Sequence, residues 1–212
     1  MELVPPELQN HNSVLASSRR FNKKPSEILL DVSWHFAAMK GIEDEIKRGR
    51  PDLIHFCLLE ACSIPLYFEN KIKVFVHTIN NKVIFVGKGV RLPKSYHRFV
   101  GLIEKLYSTG KIEENSKKLL EIKEMDFESL IKEIKPKKTL GLSRKGLVSS
   151  YQKVAQEING DTCIVIGGFS KGHFSDMIKK HFDRTVSVDQ NPLEAHIIIS
   201  RLLYEYEKRI IM

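Results

Sequence analysis

Cysteine is scarce in this 212-residue chain: Cys57, Cys62 and Cys163 are all there are, at no spacing that a metal site or a redox pair uses. Cys57 and Cys62 stand five apart among apolar residues on an expected helix. That suits buried free thiols in a reducing compartment better than a disulfide framework. No apolar run approaches the roughly 18 residues of a membrane span. Met1–Pro6 lacks the apolar core of a signal peptide. The expected location is the cytoplasm, or the nucleolus in a eukaryote, with no membrane partner. There is no internal repeat, no low-complexity tract and no excess of glycine, so collagen-like and disordered classes are excluded. His55, His77, His97, His173 and His181 form no compact ligand pattern, and no metal is expected.

Positive charge is what the chain has in plenty. Lys and Arg number 34 against 26 Asp and Glu, a formal net charge of +8. Such an excess points to a polyanionic partner, nucleic acid being the commonest. On charge alone, a basic surface that serves only solubility fits as well.

The length suits one domain. The start, through about Lys24, is polar and reads as loop with one short helix; Ile28–Leu30 is a short strand candidate and Trp34–Ile42 a helix. Arg50-Pro51-Asp52 opens the first strong helix, which Leu53–Ala61 continues. Proline at the first helical position wastes no amide donor, and an acid in the first turn suits the helix dipole. Lys73–Thr78 and Val83–Val86 flank the turn residues Asn80-Asn81 as a hairpin, and Ser95–Tyr107 repeats apolar residues at helical spacing. From about residue 118 short strands alternate with helices. The strands are Leu119–Ile122, Thr139–Leu142, Cys163–Ile166 and Thr185–Val188; the helices are Phe127–Ile134, Val148–Ile158, Phe174–His181 and a closing one from Pro192 to Ile211. That rhythm predicts an α/β fold on a mainly parallel sheet, with helices on both faces.

Cys163-Ile164-Val165-Ile166 runs into the glycine turn Gly167-Gly168-Phe169-Ser170-Lys171-Gly172, and Asp189 closes the next strand. The pair mimics a dinucleotide-binding loop and its ribose acid. Position argues against that fold, whose glycine loop follows the first strand of its domain; here one strand and one helix remain. Either the turn is structural, or a nucleotide site is built from the ends of the last strands.

Four motifs resemble, in order, those of one family: Lys47-Arg48-Gly49-Arg50-Pro51-Asp52, Arg91-Leu92-Pro93-Lys94-Ser95-Tyr96-His97-Arg98-Phe99, Ile166-Gly167-Gly168-Phe169, and Val186-Ser187-Val188 with Pro192-Leu193-Glu194-Ala195. The chain is similar to the ribosome-biogenesis pseudouridine methyltransferases of the SPOUT class, the nucleolar essential protein family. The resemblance implies a single SPOUT domain over residues 1–212, with an RNA-binding portion at about 43–110 and a cofactor-binding trefoil knot at about 138–212. It further implies S-adenosylmethionine as cofactor, a homodimer, and methylation of the N1 nitrogen of a pseudouridine in small-subunit rRNA, with ribosome assembly factors as further partners. Relatives carry a strand ahead of the segment matching Glu2-Leu3-Val4-Pro5, so either the sheet lacks that strand or the start is truncated. Lys94 stands in place of an arginine, and His196 in place of an aromatic or small residue.

By the same resemblance the cofactor lies against Leu142, Ser143, Ile166, Gly167, Gly168, Gly172, Val186, Ser187, Val188, Asp189, Gln190, Asn191 and Leu193. A plain core role is the lesser alternative for Val186 and Val188. RNA contacts fall to Arg48, Arg50, Arg91, Lys94 and Arg98; the last three are spaced three and four apart, one face if helical. A solvated cationic face is the bland alternative. Asp52 is either the catalytic base or the brace of Arg50, and an ordinary aspartate pKa near 3.9 favours the brace. A non-catalytic rRNA-binding assembly factor, or a knotted enzyme with another RNA target, would share the RNA motifs.

Overall fold

Asn81, at φ 52°, turns the chain tightly enough for strands β1 (Val74–His77) and β2 (Lys82–Val86) to pair antiparallel from Val74↔Val86 to His77↔Val83. The expected hairpin is present. The computed structural model describes residues 1–211. A second hairpin was not foreseen: β3 (Lys111–Glu114) reverses at Asn115-Ser116, both at positive φ, into β4 (Lys117–Glu124). β4 pairs with β2, giving a four-stranded antiparallel sheet in the order β1-β2-β4-β3. Helix α5 (Tyr96–Thr109) covers it with Phe99, Ile103 and Leu106 and stops at Gly110.

Three strands remain parallel, in the order β6-β5-β7: β5 (Lys138–Val148), β6 (Thr162–Ile166) and β7 (Arg184–Ser187). The mainly parallel sheet is therefore corrected. Leu119–Ile122 belongs to the antiparallel sheet, because a turn as short as Asn115-Ser116 allows only antiparallel pairing. β5 also runs on through residues expected to start a helix. Helix α7 (Tyr151–Glu157) starts only after Ser150, whose hydroxyl accepts from the Lys153 amide. Of the helix expected over Phe174–His181 only Asp176–Lys179 forms.

The N-terminal part is more helical than expected. Helix α1 (Asn12–Phe21) is capped by the His11 ring, and α2 (Val32–Met39) by the Asp31 carboxylate. The strand expected at Ile28–Leu30 shrinks to one bridge between Leu3 and Leu29. Helix α3 (Pro51–Cys62) starts where its proline predicts. The closing helix α9 (Ala195–Ile210) packs against both α3 and α7. Around β5 the core holds Leu140, Leu142, Val154, Val186, Leu202 and Tyr206, all buried.

Two cavities open between these layers. The larger, about 1220 Å³, runs past the edge strands β1 and β6 and is lined by apolar and polar side chains of these strands and of the helices and loops around them; the Met1 ammonium, lowered in pKa by burial, sits beside it. Its polar lining includes His77 and Asp126, and Glu128 paired with Lys180 and His181. The smaller, about 600 Å³, lies at the carboxyl ends of the parallel strands.

Those ends are gathered by one unusual pairing. Val186 of β7 is matched with both Leu142 and Leu147 of β5, so residues 143–146 bulge out and return. Gly146 lies where that return crosses β7: a Cβ there would stand 2.5 Å from the Thr185 carbonyl carbon and the Val186 nitrogen. Backbone cannot yield as a side chain can. Gly146→Ala is expected to cost about 1–3 kcal/mol and to lower the melting temperature by several degrees; an unchanged melt would mean the strands part there freely.

Candidate active site

Parallel strands deliver their following loops to one end of the sheet, the usual place for a ligand site in α/β folds. Here residues 142–144 come from β5, Ile166–Gly167 and Phe169–Phe174 from the turn after β6, and Ser187–Asp189 with Asn191–Glu194 from β7. Arg50 and Leu53 at the start of α3 and Ala195 and Ile198 at the start of α9 close the cavity. Its volume of about 600 Å³ suits a cofactor-sized ligand.

Ten of the expected cofactor residues meet around it: Leu142, Ser143, Ile166, Gly167, Gly172, Ser187, Val188, Asp189, Asn191 and Leu193. Three stand apart. Val186 is buried in the core beneath the floor, 1% exposed, and Gln190 points to solvent. Gly168 faces α3, and a Cβ on it would overlap Ile54 Cδ1. Arg144, Phe169, Ser170, Lys171, His173 and Glu194 also line the space; sequence reasoning quoted Phe169 and Glu194 within its motifs without assigning them to the cofactor, and passed over the other four as cofactor contacts. Phe169, Ser170, Lys171 and His173 lie within or next to the glycine turn, so the turn as a whole was the signal rather than its glycines. Gly172, at φ 102°, is the one lining residue whose backbone demands glycine. The polar side of the cavity is preformed: Asp189 Oδ1 accepts from the Asn191 amide at 2.8 Å, and Ser187 Oγ donates to the Asp189 carbonyl at 3.0 Å.

Arg50 is held from two sides. Its Nε and Nη2 donate to the two oxygens of Asp52 at 2.8 and 2.9 Å, and its Nη1 donates to Ser170 Oγ at 2.6 Å. Burial alone would raise the Asp52 carboxyl. The Arg50 fork and charge and the Leu53 and Asp52 amides outweigh it and hold the group below the usual range. A carboxyl so depressed is a poor base, and the geometry is that of a brace.

Arg48 is spent elsewhere. It forms a bidentate pair with Glu2, at 2.7 and 2.8 Å, in which the side chains are only 12% and 4% exposed. Arg91, Lys94 and Arg98, in contrast, are exposed and have no ion pair among the described residues. They do not share a helical face: α5 begins at Tyr96, so Arg91 and Lys94 lie in the loop before it. That loop is held at Pro93, between Arg91 and Lys94, and at Tyr96, where α5 begins. His55 Nε2 donates to the Pro93 carbonyl at 2.7 Å while its ring stacks on Phe99, and the Tyr96 hydroxyl donates to Asp31. His77 and His181 pack edge-on against Phe127. Burial pushes the thiols of Cys57 and Cys62 up to about 12, as inert core cysteines should be.

The model of one protein family, described as EMG1/NEP1 methyltransferase, matches residues 1–207. The chain belongs to the EMG1/NEP1 methyltransferase family. It is 37% identical over 209 residues to the ribosomal RNA small subunit methyltransferase Nep1 of Thermococcus sibiricus, a match spanning 98% of this chain and 93% of that protein. The Nep1 of Staphylothermus marinus is 38% identical over 205 residues, 96% of this chain and 89% of its own length. The crystal structure of Archaeoglobus fulgidus Nep1 bound to S-adenosylhomocysteine superposes with a TM-score of 0.87 at 35% identity, covering 98% of this chain and 93% of that one. The resemblance read from the four motifs is thus the right one, and the fold is the EMG1/NEP1 fold. No helix among the described residues is long and apolar enough to cross a membrane.

Two outcomes follow from the ion pairs of this EMG1/NEP1 chain. Glu2→Ala strands the buried Arg48 and is expected to cost about 3 kcal/mol in chemical denaturation, whereas Glu113→Ala at the exposed Lys111–Glu113 pair should cost under about 1 kcal/mol. Equal losses would show that the Glu2 pair carries no burial penalty. The depressed Asp52 pKa contributes stability that is present above the unfolded value near 3.9 and lost as pH falls through the lower folded value. Asp52→Asn should therefore flatten the wild-type fall in melting temperature below about pH 4. A parallel fall in both proteins would assign the acid limb to other carboxylates.

Proposed function

We propose that this chain is an S-adenosylmethionine-dependent methyltransferase acting, in the cytoplasm, on the N1 nitrogen of a pseudouridine in small-subunit rRNA. The observation that carries the reading is the junction of a cofactor-sized cavity with the Arg50–Asp52 pair, close to a rigidly held, unpaired basic loop. The donor set fits the cofactor. Leu142, Ile166, Val188 and Leu193 offer an apolar wall, while Ser143, Ser187, Asp189, Asn191 and the turn amides offer polar contacts. What S-adenosylmethionine brings when bound is an electrophilic methyl group on a sulfonium.

The chain's own residues do the rest. Arg91 and Lys94 in the loop and Arg98 in the first turn of α5 bind the phosphates, and His55 and Tyr96 keep that loop from shifting. Asp52 keeps Arg50 aimed across the mouth of the cavity, and takes no proton itself. Arg48 supports this surface from within, through Glu2, rather than touching RNA. Pseudouridine exposes a ring N–H where uridine has its glycosidic bond, and a site that pairs with that edge rejects uridine strongly. The base must be unpaired or flipped to reach an enclosed methyl group.

In this reading the RNA-binding portion spans about 43–110 and the knotted cofactor portion about 138–212. A homodimer is supported by the half-exposed Phe56 beside His196 and by half-buried Ile197 at the start of α9.

Calorimetry should give micromolar binding of S-adenosylmethionine, lost in Gly167→Val, whose Cβ would stand 2.7 Å from the Phe169 ring. A hairpin containing pseudouridine should be methylated and its uridine counterpart left alone. No binding to the folded protein would instead favour an rRNA-binding assembly factor, and equal methylation of uridine would remove the specificity. With three free cations, the log–log salt slope of hairpin affinity is expected near −2, from about 0.7 per contact. Lys94→Ala should shrink it by about that increment, and a slope near zero removes these residues from the RNA surface. Asp52→Asn is expected to weaken RNA binding; a defect in turnover alone restores Asp52 as the base.

A further inference from the structure

The glycine turn after β6 meets the Arg50 segment at three places. Gly168 lies against Ile54, and the Gly172 Cβ position is 3.5 Å from Lys47 Cε and 3.6 Å from Ile46 Cδ1. Both are packing contacts without direction. The third is directional: Ser170 Oγ accepts from Arg50 Nη1 at 2.6 Å, joining side chains 120 residues apart. Both residues line the 600 Å³ cavity. Arg50 keeps its bidentate hold on Asp52 through Nε and Nη2, so the Ser170 contact can break without dissolving the Arg50–Asp52 pair.

We propose that Ser170 is a positioning residue that couples the cofactor cavity to the RNA surface. A ligand in the cavity rests on the glycine turn and narrows its motion. The narrowed turn fixes the Ser170 hydroxyl, and the hydroxyl fixes the guanidinium of Arg50 on the side where RNA arrives. RNA then binds to an arginine already ordered, and the coupling is positive because the ordering cost falls once. By linkage, RNA tightens cofactor binding by the same factor. The proposal rests on the methyltransferase reading.

The test is the dissociation constant of S-adenosylhomocysteine, by calorimetry, with and without a saturating pseudouridine hairpin, in wild type, Ser170→Ala and Ser170→Thr. The quantity read is the ratio of the two constants. Wild type and Ser170→Thr, which keep a hydroxyl, should show a ratio of at least about fivefold, the low end of ordinary couplings. Ser170→Ala should fall to within about twofold of unity. A wild-type ratio of one, or a ratio that survives in Ser170→Ala, overturns the proposal. A variant that merely weakens both ligands and melts lower while keeping its ratio overturns it too. Failure of folded wild type to bind S-adenosylhomocysteine at all is a different result: it removes the methyltransferase reading, and this proposal with it.

Discussion

β5 pairs with β7 twice, before and after a four-residue excursion, and the arrangement of the site depends on that crossing. A parallel ladder requires both strands to run the same way, so their following loops emerge together. The excursion at residues 143–146 places Ser143 and Arg144 over the cavity, and the return at Gly146 presses the chain against the backbone of Thr185 and Val186. The turn after β6 and the loop after β7 then have one place to go. Only a residue without a side chain permits the approach, which makes Gly146 as necessary to the cavity as any residue that lines it.

A second constraint is carried by buried acids that fasten distant segments. Glu2 holds Arg48, and Asp31 receives the Tyr96 hydroxyl while capping α2. Glu104 accepts from the Leu29 amide at 3.0 Å and from Lys23, and Glu207 accepts from the Leu66 amide at 3.3 Å. Each carboxylate is buried and each satisfies a donor far away in sequence. Charge-assisted hydrogen bonds of this kind are directional, whereas apolar packing tolerates sliding. They set where the basic loop, the Arg50 segment and α9 stand relative to one another.

These pairings also sort the five cations once grouped as one RNA surface. Arg48 and Arg50 are paired with Glu2 and with Asp52 and Ser170, whereas Arg91, Lys94 and Arg98 are exposed and make no ion pair among the described residues. The same kind of group is tied internally in one place and left exposed to solvent in another. The difference lies in the partner, not in the arginine.

The features legible in the sequence were local ones. Pro51 and Asp52 mark the start of α3, Asn80-Asn81 marks the hairpin, and Cys163–Ile166 running into Gly167-Gly168 marks a strand with a glycine turn at its end, though that strand is a half-buried edge rather than a buried one. Each signal depends on the preferences of a few adjacent residues, which act before any tertiary contact forms. The helix expected over Phe174–His181 shrank to one turn, and Val186 and Gln190 sit to either side of the cavity their neighbours line. Within a strand or tight loop, the face a residue presents is set by register, and register is set by the partner strand. For the same reason the alternation of strand and helix could not say that Leu119–Ile122 would pair with β2 rather than join the parallel sheet. The sequence by itself determined the elements and the chemistry they carry. Only the tertiary structure decided which sheet each strand joins, which arginines stay free and which loops meet, because those outcomes depend on partners up to about a hundred or more residues away.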